Sequence, residues 1–185
     1  MESQSLHIEG GKRRIDRVLS PDFVGSLTHL SLTEVKQRRD EALAEREYLS
    51  LLRRLVHGRL DILRAEKTRR SPGHGDSGSL VEHLNEVLSD SEEERTPARG
   101  EALRVAVPEE DVAVARRRLE RIVADATISN PGALSDDELA RTERRLTDEE
   151  RMVSRARVAV MAAHDKLQDE LKRRYKEDIS QITTP

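Results

Sequence analysis

Leu30 to Glu66 and Leu134 to Glu170 carry the same seven-residue apolar seam at a fixed offset of 104 residues, and a chain written this way is bound to long paired helices. Val35, Ala42, Leu49, Val56 and Leu63 recur every seventh residue in the first stretch, as do Leu139, Leu146, Val153, Val160 and Leu167 in the second. Without any gap, ten of 37 positions are identical: Leu30, Ser31, Glu34, Glu45, Ser50, Arg53, Val56, Asp61, Leu63 and Glu66 match Leu134, Ser135, Glu138, Glu149, Ser154, Arg157, Val160, Asp165, Leu167 and Glu170. Several of these identities are polar, which a plain coiled coil does not require.

Composition supports thin seams rather than a thick core. Of 185 residues only 2% are aromatic, 37% are charged, and there is one Phe and no Trp. The overall charge of -3 is divided unevenly. Residues 31–70 hold 11 Lys or Arg against 7 acidic residues, whereas residues 76–111 hold 3 against 11. The absence of cysteine fits a reducing compartment and removes thiolate nucleophiles and Cys-based metal sites. No run approaches 18 apolar residues and the start lacks the apolar core of a signal peptide, so the expectation is a soluble, cytoplasmic protein.

The reading along the chain is all-α: a long antiparallel two-helix coiled coil with short accessory helices in the connection. Residues 1–30 read as an N-terminal arm and approach segment, polar and aperiodic to about residue 20 and therefore expected to be disordered or ordered by a partner. A capping box, Ser31 with Glu34, opens a first long helix over 31–70. Gly58 in its interior costs about 1 kcal/mol relative to Ala and calls for a packing or close-approach reason. Residues 71–133 form a flexible acidic connection with short helices at about 79–89 and 108–128, the acidic run Asp90–Glu94 between them and Pro108 in the first turn of the second. Ser135 with Glu138 caps a second long helix over 134–178, followed by a tail, 179–185. A 40-residue helix is about 60 Å long, and antiparallel pairing makes two copies of one sequence meet about a pseudo-twofold axis.

Beside the seam runs a polar ladder: Arg46, Ser50, Arg53, His57 and Asp61 in the first copy, Glu150, Ser154, Arg157, Met161 and Asp165 in the second. Spacings of 4, 3, 4 and 4 put five residues within an arc of about 80° and a length of about 22 Å, about 100° around the helix from the apolar seam. Arg presents a planar fork for phosphate oxygens or the O6/N7 edge of guanine, Asp accepts from guanine's amino and imino edge, and Ser donates to phosphate. Together these suit a guanine nucleotide. There is no Gly-rich phosphate loop and no acidic metal cluster, so nucleotide hydrolysis has no machinery; His57 has no second His four residues away, which argues against zinc.

The ladder resembles the Glu, Ser, Arg, Gln, Asp signature, with spacers of three, two, three and three residues, of the RsiG family of cyclic di-GMP-dependent anti-sigma factors of Streptomyces and its relatives. The second copy matches at Glu150, Ser154, Arg157 and Asp165, with Met161 in place of Gln; the first matches at Ser50, Arg53 and Asp61, with Arg46 in place of Glu and His57 in place of Gln. The resemblance covers both long helices. It implies an antiparallel coiled coil that binds a dimer of cyclic di-GMP and, when loaded, captures a sporulation sigma factor of the WhiG type and keeps it from RNA polymerase core. It implies ligand contacts from all ten ladder residues, no metal, no direct nucleic-acid contact and no membrane.

Three competing classes stand beside this reading. A ligand-independent coiled-coil adaptor treats the ladder as solvated surface charge. A nucleic-acid-binding hairpin would use the basic first helix, although the scarcity of aromatic residues for stacking argues against single-stranded targets. An enzyme is disfavoured because no nucleophile and base or metal site can be assembled.

Overall fold

The computed structural model describes residues 6, 8–71, 107–123 and 131–183. Among them every regular element is helical: α1 (Arg14–Val18), α2 (Pro21–Val24), a 3-10 turn (Leu27–His29), α3 (Leu32–Arg70), α4 (Glu109–Val123), a second 3-10 turn (Pro131–Ala133) and α5 (Asp136–Thr183). The short helix expected at 79–89, the acidic run Asp90–Glu94 and residues 124–128 of the expected 108–128 helix lie outside the described residues.

Both long helices start where the capping boxes place them. Ser31 Oγ donates to Glu34 Oε2 at 2.7 Å and accepts from Glu34 N at 3.2 Å. Ser135 and Glu138 repeat this at 2.8 and 3.3 Å, and the backbone N–H and hydroxyl of each serine, both donating to the glutamate carboxylate, hold Glu34 and Glu138 below the ordinary carboxylate pKa.

The chain divides into two compact units, residues 1–53 with 151–185 and residues 54–150. In the first, the early part of α3 lies antiparallel to the late part of α5, as the pairs Ser50–Arg157 and Arg53–Ser154 show. Its seam buries Val35, Ala42, Leu49 and Leu52 with Val153, Val160 and Leu167. In the second unit the late part of α3 runs antiparallel to the early part of α5, through Arg64–Glu143 and Arg70–Asp136. Val56, Leu60 and Leu63 are buried there with Leu139 and Leu146. All ten heptad residues read from the sequence are therefore in the core.

The N-terminal arm departs from the sequence expectation. Residues 14–18 and 21–24 are helical and packed, burying Ile15, Val18 and Phe23. The cause is tertiary: the buried Asp16 carboxylate accepts from Ile8 N, from Arg13 N and from Arg13 Nε and Nη2, which drives its pKa well below the usual range. Gly10 takes a left-handed backbone at φ 69°, and at Gly11 a Cβ would stand 2.2 Å from the Asp16 carboxylate. Arg38 of α3 completes the attachment by donating to the carbonyls of Asp22 and Phe23 while lying over the Phe23 ring.

Gly58 differs from expectation too. Nothing stands within 4 Å of a Cβ built there, so packing among the described residues does not account for it.

Candidate functional site

The seam is not wholly apolar. Glu45, Glu66 and Glu149 are buried, at positions three residues after heptad residues Ala42, Leu63 and Leu146. A buried carboxylate is costly unless it is paired and hydrogen-bonded, and each has an arginine. In the first unit Arg14 of α1 donates to Glu45 at 2.6 Å. In the second, Arg118 of α4 donates to Glu149 at 2.6 Å. Arg118 stands 104 residues after Arg14, so the duplication extends upstream of the long helices. The sequence shows it once the offset is carried back: Arg13-Arg14-Ile15-Asp16-Arg17-Val18-Leu19 aligns with Arg117-Arg118-Leu119-Glu120-Arg121-Ile122-Val123.

The same offset governs the far ends of the helices. Glu66 accepts from Arg69 and Arg70, and Glu170 from Arg173 and Arg174. Those arginine bonds lower both carboxylates to a pKa of about 2. In the second unit Arg70 also donates to the carbonyls of Leu134, Pro131 and Gly132; in the first, Arg174 donates to those of Leu30 and Leu27. Each unit thus has an arginine that ties the end of one long helix to the turn before the other. Reading charged seam positions as solvated surface hides all of these residues.

Within this frame the first unit brings four ladder residues together. Arg53 Nε donates to Ser154 Oγ at 3.0 Å, and Arg157 Nε donates to Ser50 Oγ at 3.1 Å. Each arginine reaches the serine of the other copy, as a pseudo-twofold pairing requires. Ser50 in turn donates to the Arg46 carbonyl. Using Nε for the cross-helix bond leaves the terminal amines of Arg157 without a hydrogen-bond partner among the described residues, and the half-buried guanidinium presents them as a fork.

The other six ladder residues are placed differently. Arg46 turns along its own helix to Glu47. Met161 is half-buried and Asp165 is exposed, 3.3 Å from His164 beside it. In the second unit His57 Nε2 lies 3.3 Å from Glu150 Oε1, near enough for an ion pair but not aimed as a hydrogen bond. Asp61 is half-exposed, 3.8 Å from Arg64. Paired guanidinium groups set with hydroxyls are able to donate to an anion, and a carboxylate is able to accept from a base. Among the described residues no cluster of His, Cys, Asp or Glu is arranged to hold a metal ion, and no helix is long and apolar enough to cross a membrane.

Residues 21–88 match the model of the RsiG-like family. Over that span the chain resembles RsiG-like proteins. No curated protein matches the chain. The RsiG-like match takes in α2, the first 3-10 turn and all of α3, hence the first copy of the ladder; the second copy lies outside it and is tied to it by the 104-residue offset. RsiG-like proteins are regulatory anti-sigma factors rather than enzymes, and the family implies a sigma factor as partner.

Proposed function

We propose that this chain is an anti-sigma factor that binds cyclic di-GMP on its duplicated motif and, so loaded, sequesters a sporulation sigma factor of the WhiG type from RNA polymerase. The observation that carries the reading is the reciprocal pairing in the first unit, Arg53 with Ser154 and Arg157 with Ser50. That pairing fixes two guanidinium groups in matched positions, and a ligand with two phosphodiesters and its own twofold symmetry suits such a pair. In this reading two nucleotides lie as a stacked pair along the motif. Arg53 and Arg157 hold phosphates or guanine edges, and Asp61 and Asp165 accept from guanine.

Ligand and sigma binding are then thermodynamically linked. A nucleotide that binds the sigma complex a thousandfold better than the separate components strengthens that complex by about 4 kcal/mol, and gains as much for its own affinity. Falling nucleotide releases the sigma factor. The test is the affinity of the full chain for a WhiG-type sigma factor with and without cyclic di-GMP: a large gain is expected, and equal values reject the switch.

A ligand-independent adaptor is the second reading. The turning of Arg46 onto Glu47 favours it, because that residue is engaged within its own helix. It predicts sigma binding indifferent to the nucleotide and no heat on titration with cyclic di-GMP.

A further inference from the structure

The two copies of the long helix diverge on one outer face. Leu55, Gly58, Ile62 and Ala65 follow one another at helical spacing along α3 in the second unit, and Gly58 at the centre of this stripe is turned away from the buried Val56, Leu60 and Leu63. Their counterparts 104 residues on are Ala159, Ala162, Lys166 and Asp169, all of them exposed and two of them charged. On α3 the large residues of the stripe, Leu55 and Ile62, are apolar and half-buried, and a Cβ built at Gly58 between them meets nothing within 4 Å. One copy of the duplicated helix therefore carries an apolar face with an open centre, and the other does not.

We propose that this face of α3 is the docking site for the chain's own residues 79–89, folded back on it as a short helix. The segment lies outside the described residues, and three observations select it as the occupant. Its apolar residues Leu80, Leu84, Val87 and Leu88 recur at i, i+4, i+7 and i+8, one stripe of a helix too short to persist unless that stripe is buried. Its tether fits as well. Gly58 lies about 18 Å back along the helix from Arg70, where α3 ends, and residues 71–78 span up to about 26 Å when extended. The connection is therefore long enough to turn and lay the segment between Ala65 and Leu55. Finally, the RsiG-like match runs past the end of α3 to residue 88, so it takes in all four apolar positions.

Charge agrees with this choice. Arg59, next to Gly58, is exposed and has no ion-pair or hydrogen-bond partner among the described residues. The segment brings Glu82 and Glu86, of opposite sign, a modest contribution at an exposed edge. His57, the ladder residue before Gly58, lies about 100° around α3 from it. A helix docked over Gly58 leaves that side clear, and the inference is independent of whether a nucleotide binds there.

Hydrogen–deuterium exchange of the full chain, resolved by peptide, tests the docking. Amides of residues 79–89 should exchange at least about tenfold more slowly than an unfolded chain of the same sequence. Gly58→Glu puts a charged side chain into the open centre of the face, where it meets none of the described packing and repels Glu82 and Glu86. It should abolish protection of 79–89 while α3 stays protected. Leu84→Glu should do the same from the segment's side, and it keeps the test valid should Gly58→Glu perturb α3. Exchange of 79–89 at the unfolded rate in the wild-type chain overturns the proposal, as does protection that survives both variants. Protection that appears only as protein concentration rises assigns the face to a second copy of the chain, which also overturns it.

Discussion

The two compact units use one clamp in two settings. In the first, Arg14 belongs to a helix of five residues; in the second, Arg118 belongs to a helix of 15. Both donate to a buried seam glutamate at 2.6 Å. A five-residue helix cannot persist alone, and the first unit compensates with the buried Asp16, which gathers the Ile8 and Arg13 donors. The second unit has a longer helix with Glu109, Glu110 and Asp111 in its first turn, favourably set against the helix dipole. The shared element is the arginine on the buried carboxylate; the local structure that presents it differs.

Breaking that clamp should give the largest effect. Arg118→Met leaves Glu149 buried and unpaired, which should cost about 3 kcal/mol in chemical denaturation. Arg14→Met should cost less, because Arg13 lies close enough to Glu45 to interact with it. Equal costs would show that the two settings are energetically alike.

Acid should act on both units together. Glu66 in the second unit and Glu170 in the first have pKa values lowered to about 2 from an ordinary 4.5. A carboxylate whose pKa is lower in the folded state contributes stability that is complete above its unfolded pKa and is lost as pH falls through the folded one. Thermal stability should therefore decline between about pH 4.5 and 2, by roughly 2 kcal/mol for each carboxylate once screening around the partly exposed arginines is allowed for. Replacing both Arg69 and Arg70, or both Arg173 and Arg174, with Leu should remove one carboxylate's share of that acid dependence.

The ladder offers a smaller and more selective effect. Arg157→Ala removes the fork that its Nε bond to Ser50 positions, and should weaken cyclic di-GMP binding by roughly 1 to 3 kcal/mol with helix content unchanged by circular dichroism. Loss of helix content would make the Arg–Ser pairs structural supports instead.

Gly58 gives the mildest case. Its equivalent in the second copy is Ala162, and open space surrounds it. Gly58→Ala should raise stability by up to about 1 kcal/mol; a decrease would mean that the glycine meets a need outside the described contacts.

The helical fold was legible because burial follows period: a residue every seven places, repeated in both copies, has few ways to be buried. The caps were legible because Ser31–Glu34 and Ser135–Glu138 satisfy orphan helix donors locally. The arm was not, since α1 depends on Asp16 reaching Ile8 and on Arg14 reaching Glu45 31 residues away. The clamps were missed for a related reason: Glu45 and Glu149 appear among the identities, but a charged residue in a heptad chain reads as surface until its partner is in place. Of the ladder, the residue types and spacing were readable. Which arginine meets which serine depends on the register of two helices, which the side-chain contacts supply.

The central claim is that reciprocal Arg–Ser pairs, generated by a duplicated helix, bind a second messenger. Calorimetric titration of the purified chain with cyclic di-GMP tests it most directly. A saturable heat with two nucleotides per chain, lost when Arg53 and Arg157 are both replaced by Ala, is the predicted result. A titration without heat for the well-folded wild-type chain would contradict it.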